Sequence, residues 1–480
     1  MALLKIRDFV WEIPKEGKMR VPARLYVDQK MIQELEREEQ TNWSTLRQLK
    51  NIASLPGIQS PALALADCHP GYGAPIGSVA AMDLKEGVIS FGCIGFDVNC
   101  GVRTLATLLK KSEVEKRKKE LAEELFKNVP AGLGVTGKLK LSQSEIDEVL
   151  VKGAEFSLAK GYGFKEDLEF IEMNGKARDA NPENVSLKAK QRQFKEVGTL
   201  GSGNHYLEVQ FVEKIFDEEI AQAFGLFEGQ IVASIHCGSR ALGHQIGADY
   251  LVELKKASEK YKLHLADPEL VSAPIESEEG KKYFSAVSAG MNCAFANRQV
   301  LAHLARESFA RVFGVNEREI RTFYEVGHNT AKIEEHEVEG KQKELLVQRK
   351  GSTRGFGPER KEVPAQYRKF GQPVLVGGTM GTASYVLAGT IKGMKETFGS
   401  AVHGAGRKLS RNAAIKSFKG EQIATELNKK GIIIKTHSWK GISEEAPQAY
   451  KDIDEVIEIM AVTGISRKVA RLKPMITIKG

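Results

Sequence analysis

Aspartate, cysteine and histidine side chains at the ends of several apolar runs could bind a metal ion. Asp97 and Cys100 lie in GFDVNCG, His205 in GSGNH, His236 in SIHCGSR and His328 in VGHN. A strand that ends at such a residue would direct its side chain into a shared cavity. Mixed Asp, Cys and His ligands suit divalent transition metals, and a thiolate can bridge two ions. Taken singly, each residue is more often a satisfied core residue than a ligand.

Two glycine-rich loops form a second candidate, of the kind that binds phosphate through backbone N–H groups. The loops are GGTMGTAS (377–384) and HGAGR (403–407), and Arg407 and Arg411 lie four residues apart at the start of an expected helix. Two arginines on one helical face would fit a phosphate. Neither loop matches the P-loop or the dinucleotide fingerprint, so each could also be an ordinary turn.

The segment GSGNHYLEV connects the two candidates, because side chains alternate between the faces of a strand. Asn204 and Glu208 should share one face, whereas His205 should point to the other. One short strand could then serve a metal through His205 and a nucleotide through Asn204 and Glu208. The alternative is an ordinary half-buried strand with polar residues facing water.

The elements that must position these residues alternate without a βαβ rhythm, which predicts an α+β fold with a central β-sheet assembly surrounded by helices. Residues 107–195 have the charge and spacing of solvated helices, and residues 281–315 also read as helical. The stretch EIRTFYEVGHNTAKIEEHEV reads as a strand that leads into a loop. Because the candidate residues extend from position 67 to position 479, we expect residues 1–480 to form one domain with one composite site.

Composition predicts a soluble globular protein with a sizeable core and makes disorder unlikely. The 480 residues are 42% hydrophobic and 28% charged, and a net charge of +8 permits a polyanionic partner. Five cysteines make a disulfide framework improbable. No apolar run approaches the roughly 18 residues of a membrane span, and the N-terminus lacks the pattern of a signal peptide. The expected location is the cytoplasm.

Six motifs in this order resemble the RtcB family of RNA-splicing ligases: HPGYGAPIGSVAA, GFDVNCGVR, GSGNHYLEV, HCGSRALGHQ, HNTA and HGAGRKLSR. The resemblance extends from about Asp67 to Lys479. It implies an enzyme that joins RNA 2′,3′-cyclic phosphate or 3′-phosphate ends to 5′-hydroxyl ends with GTP and two manganese ions. It also implies a GMP-histidine intermediate, an RNA-(3′)pp(5′)G activated end and a role for a small archease-type activator protein.

Residue roles follow from the same resemblance. It implies that Cys100 bridges both ions, that Asp97 and His205 complete one metal site, and that His236 and His328 complete the other. His403 resembles the nucleophile that takes GMP. The nucleotide and metal-bearing positions it implies are Asn204, His205, Tyr206, Leu207, Glu208, His328, Asn329, Gly377, Gly378, Thr379, Met380, Ser384, His403, Gly404, Ala405, Gly406 and Lys479.

Some features of the sequence leave alternatives open. Cys68 and Cys237 depart from the usual family pattern and could be bystanders, extra soft ligands or redox-sensitive groups. Candidate contacts to RNA phosphates are four arginines: Arg240 in the HCGSR turn, Arg354 within RKGSTRGFGPERK, Arg407 and Arg411. The nearest rival function is a metal-dependent phosphodiesterase that opens cyclic phosphates on RNA ends without ligation. A more distant rival is an RNA-binding protein with a structural metal.

Overall fold

The structure, a computed structural model, describes residues 3–41 and 43–480. These residues contain 19 strands: β1 Leu4–Arg7, β2 Val10–Ile13, β3 Ala23–Tyr26, β4 Ala62–His69, β5 Ile76–Asp83, β6 Val88–Ser90, β7 Gly101–Lys110, β8 Tyr206–Ile215, β9 Gln230–Cys237, β10 Ser272–Pro274, β11 Arg321–Gly327, β12 Asn329–Val338, β13 Lys341–Lys350, β14 Ser352–Arg354, β15 Pro373–Val376, β16 Ser384–Gly389, β17 Ser400–Val402, β18 Ile433–Thr436 and β19 Ser466–Lys479.

The same described residues contain 14 α-helices: α1 Gln29–Glu38, α2 Thr45–Ile52, α3 Lys111–Asn128, α4 Gln143–Lys152, α5 Ala154–Ala159, α6 Leu187–Gln193, α7 Glu218–Phe224, α8 Arg240–Lys260, α9 Glu278–Phe313, α10 Ile391–Thr397, α11 Arg411–Ser417, α12 Gly420–Lys429, α13 Trp439–Glu444 and α14 Ile453–Val462. Short 3₁₀ helices lie in the connections. The expected α+β class, with sheets surrounded by helices, is confirmed.

Two large, mostly antiparallel sheets form the centre of the fold. The first has seven strands in the order β1-β2-β3-β4-β5-β13-β12. The second has eight, in the order β11-β7-β9-β8-β19-β16-β15, with β18 pairing beside β19. The pairs β3–β4 and β18–β19 are parallel. The 14-residue strand β19 is long enough to pair with β8, β16 and β18.

The chain passes from one sheet to the other at His328. Strand β11 belongs to the eight-stranded sheet and β12 to the seven-stranded sheet, and only His328 separates them. The prediction of a strand followed by a loop was therefore wrong here. The segment VGHNTAK forms no long turn, because the backbone passes from one sheet to the other at a single residue. That residue is therefore fixed from both sides by hydrogen-bonded strands.

Helix α9 runs through the core and supports the eight-stranded sheet. The side chain of Ser277 caps the N-terminus of α9 by accepting a hydrogen bond from Gly280 N. Gly314 caps the C-terminus, and its φ of 68° suits glycine. Small residues such as Ala289 and Gly290 let its neighbours approach closely, and most of its residues are buried. Helices α3, α4, α5 and α8 pack against it. The helical prediction for residues 281–315 is confirmed.

The charged segment 107–195 contains α3 to α6, as expected from its spacing. In α3 the apolar positions Val114, Leu121 and Leu125 are buried, whereas most of the Lys and Glu side chains face outward. The prediction that these charged residues form a solvated helical face is confirmed for α3. No helix within residues 3–41 and 43–480 has the length and apolar character to cross a membrane.

Candidate metal and nucleotide site

Four neighbouring strands of the eight-stranded sheet bring the predicted metal ligands to one end of that sheet. Cys100 precedes β7, His205 precedes β8, His236 is the penultimate residue of β9 and His328 follows β11. The strand register places these positions side by side, because β11, β7, β9 and β8 are adjacent and antiparallel. Asp97 enters from the turn before Cys100, whose backbone N–H donates to Asp97 O at 3.0 Å.

These five side chains form two overlapping groups, which we call the metal cluster. The ligand atoms of Asp97, Cys100 and His205 lie within 4.8 Å of one another, as do those of Cys100, His236 and His328. Cys100 Sγ is 3.4 Å from His205 Nε2 and 3.2 Å from His236 Nε2. Because Cys100 belongs to both groups, the cluster has the composition of a two-metal site with one bridging thiolate.

The electrostatics of the cluster favour a bound cation. His236 Nδ1 lies 3.0 Å from Asn204 O, so this nitrogen carries the proton and Nε2 has a free lone pair. That Nε2 is 3.1 Å from His328 Nε2. Burial, followed by neighbouring histidines, holds the pKa of both rings well below the ordinary value. Burial also raises the pKa of the Cys100 thiol to about 12, so a thiolate here needs a cation beside it.

His403 follows β17 and lies beside the cluster, with its ring centroid 4.8 Å from that of His328. Its Nδ1 is 2.7 Å from Asp67 Oδ2, and its backbone N–H donates to the same oxygen at 2.9 Å. Asp67 is fully buried in β4. A carboxylate acceptor fixes the Nδ1–H tautomer and leaves Nε2 as the nucleophilic nitrogen. The geometry therefore suits covalent chemistry at His403 Nε2.

A pocket opens next to His403, and several of its other lining residues are predicted to contact a nucleotide. We call these residues the nucleotide wall; it consists of Glu208, Lys479 and the loops 377–380 and 404–406. Asn204, Tyr206 and His236 also line the pocket. The loop backbones meet each other, since Gly377 N donates to His403 O at 3.2 Å. Glycine at Gly377 is required because a Cβ there would meet the Tyr206 hydroxyl at 2.6 Å.

Glu208 and Lys479 are two buried ionisable residues that line the same pocket. Thr477 Oγ1 donates to Glu208 Oε1 at 2.8 Å, and Gln210 Nε2 donates to Oε2 at 2.7 Å. Burial raises the pKa of Glu208 to about 7, although these hydrogen bonds and Lys479 act in the opposite direction. Burial also lowers the pKa of Lys479. Such a pair can adjust its charge to match a ligand.

The alternation predicted along GSGNHYLEV is confirmed by the structure. Asn204, Tyr206 and Glu208 line the pocket, whereas His205 faces Asp97, with Nε2 to Oδ2 at 2.8 Å. Leu207 is packed in the hydrophobic core on the opposite face of β8.

Two further predicted positions, Ser384 and Asn329, lie around the pocket rather than on its lining, as does Cys237, whose role the sequence left open. Ser384 is buried one layer behind it, and its Oγ accepts from Gly378 N at 3.1 Å. Asn329 connects two site loops, because its side chain donates to Asp97 O and accepts from Gly351 N. Cys237 Sγ lies 3.8 Å from His205 Nδ1.

Two of the four arginines proposed to contact RNA are in the interior. Arg240 is 7% exposed and donates to Thr199 Oγ1 and Gly132 O. Arg354 is 4% exposed and is paired with the buried Glu172. Neither can reach a phosphate at the surface. The charge of an arginine gives no sign in the sequence of a buried partner that is distant along the chain.

Arg407 and Arg411 do line the pocket, but they do not share a helical face. Helix α11 begins at Arg411, and Arg407 lies before it in the loop, where it pairs with Glu445 and Tyr450. The side chain of Arg411 is 65% exposed. Arg411 is thus the more accessible cation at the rim.

The sequence did not point to several residues that line the pocket or contact His403. Asp67, which holds His403, and His69 lie two positions apart in ADCH, and strand alternation along β4 could have found them. Glu445 and Tyr450 reach the pocket from the segment after α13, where no local pattern marks them.

The arrangement is typical of metal-dependent enzymes of phosphate chemistry, because the metal cluster adjoins a pocket histidine and glycine-rich loops. Residues 48–480 match the sequence model of the family described as tRNA-splicing ligase RtcB. The chain is 50% identical to the tRNA-splicing ligase RtcB of Thermococcus kodakarensis, with 100% of this chain and 99% of the relative covered. The corresponding enzyme of Archaeoglobus fulgidus is 48% identical and that of Methanococcus maripaludis 49%, each over 100% and 99%.

The chain therefore belongs to the RtcB family, and it is an RNA ligase. Identity near one half over the full chain supports ligation and not the alternative of a phosphodiesterase that only opens cyclic phosphates. The same membership supports a metal-dependent reaction on RNA, for which the metal cluster is the candidate site.

Proposed function

We propose that the protein joins RNA ends carrying a 2′,3′-cyclic phosphate or 3′-phosphate to 5′-hydroxyl ends, with GTP as the activating substrate and His403 as the residue that takes GMP. One observation carries the proposal: the 2.7 Å contact between His403 Nδ1 and Asp67 Oδ2, made beside the metal cluster. A buried carboxylate that fixes a pocket histidine in this way is the arrangement expected for a nucleophile.

The first step is attack of His403 Nε2 on the α-phosphorus of GTP. A P–N bond forms, the bond from phosphorus to the bridging oxygen breaks, and pyrophosphate leaves. The ring becomes positively charged as the bond forms, and the Asp67 carboxylate at Nδ1 stabilises that charge. The product is a GMP-histidine phosphoramidate.

In the second step an oxygen of the RNA 3′-phosphate attacks the phosphorus of this adduct, and the P–N bond breaks to give RNA-(3′)pp(5′)G. The 5′-hydroxyl of the other RNA end then attacks the RNA-side phosphorus and displaces GMP. A cyclic phosphate is first opened by water to a 3′-phosphate. Activation is needed because a phosphate monoester has no good leaving group.

The nucleotide wall supplies the chemistry for guanine and phosphate. Guanine presents two neighbouring N–H donors on its pairing edge, which match the two oxygens of Glu208. Lys479 and Asn204 line the same end of the pocket. Glycine-rich loops suit phosphate oxygens, and in the loops 377–380 and 404–406 the backbone N–H groups of Met380 and Gly406 donate to no other described residue. We assign the guanine base to Glu208 and Lys479 and the phosphates to the glycine loops.

Two divalent ions, for which we propose manganese, would neutralise phosphate charge when bound. Asp97, Cys100 and His205 would hold one ion, and Cys100, His236 and His328 the other. The fit rests on the convergent lone pairs of the cluster and on Asp97 Oδ1, which is buried and has no hydrogen-bond partner among the described residues. We further propose that the reaction is cytoplasmic and is promoted by an archease-type activator.

The test is incubation of the protein with manganese and α-labelled GTP, followed by a denaturing gel and intact mass. The intact chain should gain one covalent GMP, whereas His403→Ala should gain none. His264→Ala, which changes an exposed histidine outside the site, is the matched control and should be labelled like the unmodified chain. Labelling of His403→Ala would refute the role of His403, and absence of any adduct would refute the nucleotidyl-transfer route.

A further inference from the structure

His69, the last residue of β4, lines the pocket but has no role in the reaction described so far. It lies two residues after Asp67 on the same strand, and residues two apart point to the same face. Asp67 contacts His403, so the His69 ring lies on the face of β4 that is directed toward His403. The intervening Cys68 is buried in the hydrophobic core on the other face.

The hydrogen bonding of His69 defines which ring nitrogen is available. Nδ1 is 3.1 Å from Pro70 O, and because a carbonyl can only accept, Nδ1 carries the proton. Nε2 then has a free lone pair. Within the part of the chain that the structure describes, Nε2 has no hydrogen-bond partner, and the residue lines the pocket. The residue that carries this acceptor therefore lines the same pocket as His403.

The surroundings of His69 keep the ring neutral. Burial is the main cause that lowers its pKa to about 3, and the positive charge of Lys451 acts in the same direction. Lys451 is itself held in place by donating to Ala66 O at 3.1 Å and to Cys68 O. The ring therefore accepts a hydrogen bond at any working pH. A bound phosphate would bring negative charge that favours the imidazolium.

The proposed steps differ in whether the attacking atom has a proton to lose. His403 Nε2 attacks as a neutral lone pair, and the RNA 3′-phosphate attacks through an ionised oxygen. The 5′-hydroxyl is different, since its O–H bond must break when the new O–P bond forms. An acceptor in the pocket is needed for this last step, and also for water when a cyclic phosphate is opened.

We propose that His69 is a catalytic residue of the sealing step and that its Nε2 accepts the proton of the attacking 5′-hydroxyl. The inference rests on the proposed function and deepens it. As the O5′–P bond forms, the bond from phosphorus to the departing GMP breaks, and the O5′ proton passes to Nε2. The imidazolium then returns the proton to water. Asp67 orients His403, which takes GMP, whereas His69 accepts the proton of the 5′-hydroxyl, whose attack displaces GMP from the activated RNA.

The experiment follows each step separately in His69→Gln, using an RNA that already carries a 3′-phosphate so that opening of a cyclic end is bypassed. Labelled GTP reports the protein adduct, and labelled RNA reports RNA-(3′)pp(5′)G and the sealed product. We expect the adduct and the activated RNA to form at unchanged rates. Sealing should slow by roughly 10²- to 10⁴-fold, as for loss of a general base, so that activated RNA accumulates.

Two further proteins make the result decisive. His264→Gln, the same change at an exposed position, should seal like the unmodified chain. His69→Gly should regain part of its sealing rate with added imidazole, which a purely structural role would not produce. Unchanged sealing in His69→Gln, an equal loss of adduct formation, or no rescue by imidazole would overturn the inference. Failure of the unmodified chain to form any adduct would instead refute the proposed function.

Discussion

The metal cluster and the nucleotide wall flank the same histidine but are built in different ways. The cluster consists of side chains fixed at the ends of four paired strands. The nucleotide wall consists of two glycine-rich loops together with two buried ionisable residues, Glu208 and Lys479. Metal ions need a few side-chain donors at fixed positions, and strand ends supply these. A nucleotide needs backbone that can approach it closely, and glycine-rich loops allow this approach.

The residues that hold the metal cluster in place also differ from those that hold the glycine-rich loops. Arg298 of α9 is fully buried under the metal cluster and donates through Nη1 to Asn99 O at 2.7 Å and Cys237 O at 2.6 Å. These carbonyls adjoin Cys100 and His236. Its Nη2 donates to Glu325 on β11 at 2.7 Å. One guanidinium therefore connects three ligand-bearing segments, whereas the glycine loops rest on Asp67 and on each other.

The largest effect should come from removing the side chain that both halves of the metal cluster share. Cys100→Ala should lower ligation by at least about 10³-fold, because loss of the bridge removes several kcal/mol of charge stabilisation. Bound metal per chain, measured by elemental analysis, should fall together with sealing. The matched control is Cys293→Ala, another buried cysteine, on α9. Unaltered metal content in Cys100→Ala would show that the thiolate is not a ligand.

A smaller effect is expected when a residue that supports the metal cluster is substituted and all five side chains of the cluster are kept. Arg298→Lys keeps a charge near Glu325 but cannot reach both carbonyls, so metal affinity should fall roughly 10- to 100-fold. Titration with manganese in the folded protein would measure it.

The control for that experiment is Arg306→Lys. Arg306 is also fully buried in α9, and it donates to Asp167, Ile320 O and Thr322 Oγ1 but to neither of the carbonyls, Asn99 O and Cys237 O, that adjoin metal-cluster residues. Both variants should lose thermal stability. If both also lost metal affinity equally, the loss would reflect general destabilisation and not positioning by Arg298.

The smallest effect concerns the nucleotide wall. Glu208→Gln replaces an acceptor of two guanine N–H groups by a side chain with one acceptor, so GTP should bind about 10-fold more weakly. Equilibrium binding of GTP, compared with ATP, would measure the loss of guanine preference. An unchanged preference would place the base elsewhere in the pocket.

The same variant has a pH-dependent effect on stability with a defined sign. Burial raises the pKa of Glu208 from 4.5 to about 7, so the folded protein loses stability as pH rises through this range. Glu208→Gln should therefore be more stable than the unmodified chain at pH 8, by on the order of 2 kcal/mol, and should not differ at pH 4. Glu213→Gln on the same strand should be less stable at pH 8, because Lys473 and Arg471 lower the pKa of Glu213 against the effect of burial. Denaturant unfolding at both pH values measures each difference.

The features that the sequence predicted well depend on local geometry. The period of two along a strand placed Asn204 and Glu208 opposite His205, and the spacing of apolar residues identified α9. The resemblance to a family gave the residue types of the metal cluster. Its five members span positions 97 to 328, and the structure brings them together. These predictions needed no knowledge of which strands are neighbours.

The tertiary structure decided what local patterns cannot contain. His328 reads as a loop residue, yet it joins two sheets, because strand pairing with distant segments extended β12 through the expected loop. Arg240 and Arg354 read as surface cations, yet each is buried with partners far away in the chain. Strand alternation could place Asp67 and His69 on one face of β4, but only the fold shows that Asp67 contacts His403 and that His69 lines the pocket. The sequence by itself determined the kinds of groups available for chemistry, because residue type and strand periodicity are local. Only the fold determined which groups meet, because pairing and burial depend on contacts between distant segments.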